Sequence, residues 1–109
     1  MIALLRPMLQ SVNKVLVVRE RFLTESEKKM AQSVFGTALE LDGIKIIAHR
    51  MVLKNYGISP NGHVYFNEQD WCEDFSTQTL STQSWLIHEL THVWQIQQGI
   101  QVVRKAIFD

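Results

Sequence analysis

The run from Trp85 to Gln98 constrains this chain most. It holds no glycine or proline and mixes Trp85, Leu86, Ile87, Leu90, Val93 and Trp94 with polar residues, which predicts a helix apolar on several sides and packed inside a domain. Gly99 follows and reads as the C′ glycine that stops it. Within the run stands His88-Glu89-Leu90-Thr91-His92, an H-E-x-x-H pattern. Residues four apart lie one helical turn apart on nearly the same face, so two imidazoles can meet one ion. Glu89 is rotated by about 100° from His88 at 3.6 residues per turn, so it flanks such an ion instead of ligating it. From there it is placed to take a proton from zinc-bound water, whose pKa the metal lowers to about 7. His88 and His92 are therefore the candidate metal ligands, Glu89 the candidate catalytic base, and zinc the expected cofactor. The competing reading is two helix-surface histidines beside a solvated glutamate, but polar groups on so apolar a helix need partners or a cleft.

The rest of the chain reads as α+β. Thr24-Glu25-Ser26-Glu27 is a capping box, and Met30, Val34, Phe35 and Ala38 recur behind it at helical spacing until Leu41-Asp42-Gly43. Ile44 to His49 reads as a strand, Ser59-Pro60-Asn61-Gly62 as a turn, and His63-Val64-Tyr65-Phe66-Asn67 as a second strand. Ser76 to Ser84 is a polar loop leading into the last helix. Residues 1–20 suit helix and strand equally. The expected architecture is a short antiparallel or mixed sheet packed on an N-terminal helix and a C-terminal H-E-x-x-H helix, in a single domain over residues 1–109.

Composition narrows the function. Eleven basic and eleven acidic side chains cancel, which argues against an electrostatic nucleic-acid binder. No run reaches the ~20 apolar residues of a membrane span, and the apolar N-terminal stretches are broken by Arg6, Pro7 and Arg19, so neither a membrane partner nor a signal peptide is expected. Synthesis in the cytoplasm follows. A single cysteine, Cys72, excludes an internal disulfide and any multi-cysteine zinc site.

A catalytic zinc takes three protein ligands and keeps one position open. The extended metzincin pattern needs histidine at position 98 and glycine at 95, where this chain has Gln98 and Gln95, so it is rejected. No glutamate follows Glu89, and Asp109 is the sole acidic side chain beyond it. The remaining candidates lie upstream: His49, His63, Asp70, Glu73 and Asp74, none singled out by spacing. The third ligand is left open.

The helix and several shorter pieces resemble a bacterial family. Ser33-Val34-Phe35-Gly36, Gly57-Ile58-Ser59-Pro60-Asn61-Gly62-His63-Val64-Tyr65-Phe66, Asp74-Phe75-Ser76 and His88 through Gly99 are similar, in order, to the Vgr-related proteins found near type VI secretion loci and to eCIS-core-type zincin-like domains. The likeness covers roughly residues 20–105. It implies a zincin-like fold and a zinc metallopeptidase site with His88 and His92 as ligands and Glu89 as base. It implies a sheet-edge strand along the cleft that pairs with an extended peptide, for which His63 to Asn67 is the candidate, with Tyr65 or His63 donating to a developing oxyanion. It also implies a glutamate ligand on a further helix, so that a C-terminal segment would complete the domain.

Two functions follow. The first is a zinc-dependent peptidase or amide hydrolase acting on a peptide or protein and linked to a bacterial secretion system, through which it would be exported. The alternative is a non-catalytic accessory or binding module of a type VI or phage-tail-like apparatus, bound to a secretion-system protein, with an incomplete metal site. A homodimer sharing ligands would be a third way to complete the site, with the apolar tail from Ile100 to Phe108 as its docking segment.

Overall fold

The computed structural model describes residues 15–108, with side chains described over residues 15–99. Four strands form one mixed sheet: β1 (Val17–Phe22), β2 (Lys45–His49), β3 (Gly57–Ile58) and β4 (Val64–Phe66), in spatial order β1-β2-β4-β3. β1 and β2 are antiparallel, β2 and β4 parallel, and β4 and β3 antiparallel. Among the described residues these strands are joined by helices α1 (Glu25–Phe35) and α2 (Leu80–Phe108) and by a 3-10 turn at Phe75–Thr77. The α+β class and the mixed sheet are as expected from the sequence.

Strand alternation sorts the sheet into two faces. Ile46, Ala48, Val64 and Phe66 are fully buried on one face, in a core with Leu23, Ala31, Phe75, Leu86, Leu90 and Val93. Phe66 stacks on Phe75 at 4.9 Å and meets Trp85 edge-on at 4.8 Å, which seats the start of α2 against this face. Ile47 and Tyr65 belong to the other face, where they form a smaller cluster with Val52 and Val17.

The start of α1 is the capping box read from the sequence: Thr24 Oγ1 accepts the Glu27 N–H at 3.0 Å and Glu27 Oε1 accepts the Thr24 N–H at 2.9 Å. Glu27 does more than cap. It is wholly buried, takes a bidentate bond from Arg21 at 2.7 and 2.9 Å, and accepts the Phe75 N–H at 2.7 Å. One carboxylate thus joins β1, α1 and the 3-10 turn, with every bond charge-assisted.

Several boundaries differ from the sequence reading. Helix α1 stops at Phe35 because Gly36 turns to φ 58° and its N–H bonds Gln32 O, so Ala38 lies beyond it. Its buried face is Glu27 and Ala31, with Met30 and Phe35 half-buried, whereas Val34 is exposed. Helix α2 begins at Leu80, where Thr79 Oγ1 accepts the Thr82 N–H, and it runs through Gly99 to Phe108. Gly99 is therefore not a C′ residue: it has no positive φ, and a glycine inside a helix costs only about 1 kcal/mol. The strand expected over His63–Asn67 is Val64–Phe66, and it is interior, because β3 covers its outer side. The ambiguous N-terminal stretch resolves into β1 from Val17, while residues 1–14 and the side chains of the apolar tail lie outside the described residues.

Candidate metal and catalytic site

Helix α2 presents two different sides at the motif. Leu86, Leu90 and Val93 are completely buried against the sheet. His88 and His92 stand on the exposed side, and Glu89, between the two, is buried. The two imidazoles cross at 88° with centroids 4.9 Å apart, and their Nε2 atoms are 3.3 Å apart. Two nitrogens on one tetrahedral zinc, each about 2.0–2.1 Å from it, are separated by about 3.3 Å. The pair thus already spans one edge of such a tetrahedron. His92 Nδ1 lies 3.1 Å from Gln95 Oε1. An amide oxygen only accepts, so in this contact Nδ1 is the donor, the arrangement that orients a metal-binding histidine.

Glu89 points toward β3. Ser59 Oγ lies 2.9 Å from Glu89 Oε1 and 3.2 Å from the Glu89 carbonyl oxygen, which anchors the loop after β3 to the helix. Gly57 faces the carboxylate directly: a Cβ there would come within 2.9 Å of Glu89 Cδ and 3.0 Å of Oε2. Only a residue without a side chain admits Glu89 in this position. Gly57, Ile58, Ser59 and Pro60 on one side, and Glu89, His92, Gln95 and Ile96 on the other, border an open cleft of about 520 Å³. Gly57 and Ser59 carry no sequence signal for these roles, since each meets Glu89 across some 30 residues, whereas Gln95 stands three residues from His92 on the same helix.

The strand along this cleft is β3, which forms the sheet edge. The segment His63 to Asn67 does not fill that role. Tyr65 and Val64 are interior, and the Tyr65 hydroxyl accepts from Asn61 Nδ2 at 2.8 Å on the face away from the motif. His63 Nδ1 accepts the Lys45 N–H at 3.0 Å. Burial, helped by the Lys45 charge, holds the His63 pKa below the ordinary histidine value. Neither Tyr65 nor His63 lines the cleft as a donor.

The other upstream candidates are engaged elsewhere. His49 Nδ1 accepts the Met51 N–H at 3.1 Å, and its ring meets Tyr65 edge-on. Asp70 Oδ2 accepts the Asn55 N–H at 2.6 Å, and Glu73 pairs with Arg19 at the surface. Asp74 accepts the N–H and hydroxyl of Ser76; burial pushes its carboxyl up, but these bonds outweigh it and leave the pKa below the usual carboxylate range. Burial raises the Cys72 thiol, which suits a bystander. Among the described residues no three or more His, Cys, Asp or Glu gather where they could share a metal ion.

No family model matches the chain. The type VI secretion system spike protein VgrG2b of Pseudomonas aeruginosa is 38% identical over 87 residues, covering 76% of this chain and 8% of that protein. A solved structure, the effector domain of Pseudomonas aeruginosa VgrG2b, superimposes with a TM-score of 0.68 at 36% identity, over 75% of this chain. About three quarters of the chain is thus similar in sequence and fold to part of the VgrG2b effector domain. It spans 48% of the effector domain's chain and a small fraction of the whole spike protein. This similarity links the chain to Vgr-related type VI secretion proteins, as the motifs suggested. Among the described residues no helix is long and apolar enough to cross a membrane.

Proposed function

We propose that this domain is a zinc-dependent hydrolase of peptide or amide bonds, working in association with a type VI secretion system as a relative of the VgrG2b effector domain, and exported by that system. The observation that carries the reading is the His88–His92 pair, with Nε2 atoms 3.3 Å apart, next to a buried glutamate in a cleft edged by a strand. The donor chemistry fits two positions of a zinc site.

When bound, zinc supplies a Lewis acid that makes water a nucleophile near neutral pH. The chain's residues do the rest. His92 is held in its ligating tautomer by Gln95. Glu89 takes the proton of the attacking water at Oε2, while Ser59 steadies Oε1. The burial of Glu89 keeps bulk water from competing for that proton. The edge strand β3 offers backbone groups to an extended peptide, which aligns the scissile bond over Glu89.

A second reading is favoured by one observation: the described residues offer no third ligand. On that reading the domain is a non-catalytic accessory module that binds a secretion-system protein. Elemental analysis of protein purified without chelator, combined with peptide hydrolysis by the parent and by Glu89→Gln, separates the two. Near one zinc per chain, hydrolysis by the parent, and a zinc-loaded but inert Glu89→Gln variant are expected. Folded protein that takes up no zinc would overturn the hydrolase reading.

A further inference from the structure

The outer side of β3 has a second cavity. It encloses about 330 Å³ and is walled by His49, Met51, Val52, Ile58 and Tyr65, with the Asn61–Tyr65 hydrogen bond at its margin. Sheet register puts it on the face opposite the motif. Gly57 pairs with Phe66, whose side chain is packed under α2, whereas Ile58 pairs with Tyr65, whose side chain belongs to the smaller cluster on the other face. Cross-strand partners share a face. The Gly57 position therefore looks to Glu89, and Ile58 looks to the second cavity. Ile58 and Pro60 border both hollows, so the two adjoin at the sheet edge. The loop beside the second cavity is unusually apolar for exposed chain: Met51 is 70% exposed, Leu53 69% and Tyr56 62%.

We infer that this second cavity is a specificity pocket that receives a large apolar side chain of a peptide paired on β3. The inference rests on the hydrolase reading for the peptide's position. It follows from the period of a strand. In an antiparallel pair one of Gly57 and Ile58 turns its N–H and C=O away from β4, and those groups are available to a further strand. Side chains of that added strand alternate between the faces. The residue lying over Glu89 points into the cleft, and each of its sequence neighbours points to the opposite face, where the second cavity opens. Met51, Val52, Ile58, Pro60 and Tyr65 make most of its wall apolar, with His49 and Asn61 as the polar members, so a leucine-, methionine- or phenylalanine-like side chain is matched.

The test uses the full chain, zinc-loaded, and a set of blocked octapeptides varied one position at a time, each read for binding by fluorescence anisotropy and for hydrolysis. The comparison variant is Met51→Asp, an exposed position outside the core whose change puts a carboxylate in the cavity wall. The expected result is a preference for a large apolar residue at a position next to the cleft-facing one, reduced about tenfold or more in Met51→Asp while preferences elsewhere are unchanged. Hydrolysis with no apolar preference there, or with a preference that Met51→Asp leaves intact, overturns the pocket and spares the hydrolase. Apolar-selective binding that Met51→Asp weakens, without hydrolysis, keeps the pocket and overturns the hydrolase. Neither binding nor hydrolysis of any peptide overturns both.

Discussion

Replacing Gly57 by alanine should disable the domain without unfolding it. The new Cβ would sit 2.9 Å from Glu89 Cδ and 3.0 Å from Cγ and Oε2. Carbon atoms in comfortable contact are about 3.5–4.0 Å apart, so the carboxylate must retreat by roughly 0.6–1 Å. Glu89 is 4% exposed and bonded to Ser59, so it cannot simply swing into solvent. A misplacement of about 1 Å at a reacting group costs on the order of 100-fold in rate, equivalent to about 2.7 kcal/mol of barrier. Folding should suffer little. Gly57 has no positive φ, so alanine fits the backbone and regains about 0.5–1 kcal/mol of strand stability against an overpacking cost of about 1–3 kcal/mol. The assay is kcat/KM on a hydrolysed peptide, with zinc content and thermal midpoint measured alongside. Because Gly57 acts through Glu89, adding Gly57→Ala to Glu89→Gln should change nothing further. A Gly57→Ala enzyme as fast as its parent, while Glu89→Gln is inert, would refute the reasoning.

Other outcomes follow from the same coordinates. Gln95→Ala frees the His92 ring and should weaken zinc binding about 10–100-fold, read by competition with a chromogenic chelator. Glu27→Leu leaves Arg21 without its buried partner and should cost about 3–5 kcal/mol in urea unfolding, with Thr24→Ala costing nearer 1 kcal/mol. His63 has a folded pKa below its unfolded value of 6.5, so its contribution is fully present above that pH and is lost as pH falls below it toward the folded pKa. His63→Gln should flatten the part of the stability–pH curve just below pH 6.5, measured by thermal denaturation.

What could be read from the sequence divides by the distance over which each feature is set. The capping box and the histidine pair are legible because each is fixed by positions three or four apart within one helix. Strands β2 and β4 were legible from composition, but β1, β3 and the order of the sheet were not. Which strand lies at the edge depends on how residues 50–63 return beside β4, and no local pattern records that. Gly57 and Ser59 escaped for the same reason, since Ser59 meets Glu89 across a separation of 30 residues. The Gly99 reading failed in the opposite way. A sound local rule met a helix whose later residues carry it past a tolerable defect. Glu27 was legible as a cap and not as the buried counter-ion of Arg21, because that pairing exists only once β1 lies against α1.

The parallel pairing of β2 with β4 has a consequence for how such a domain can change. A parallel pair needs a crossover connection of a dozen or more residues. Here the chain between His49 and Val64 serves, and it carries β3, Gly57, Ser59 and the exposed apolar loop. The histidine pair and Glu89 ride on a helix encoded in a separate stretch. Insertions or deletions in the crossover can therefore re-aim the edge strand and reshape both hollows while the helix keeps its histidines and Glu89 in register. The topology makes the recognising half of the domain free to diverge, and it confines the heritable constraint on that half to the two residues that touch Glu89.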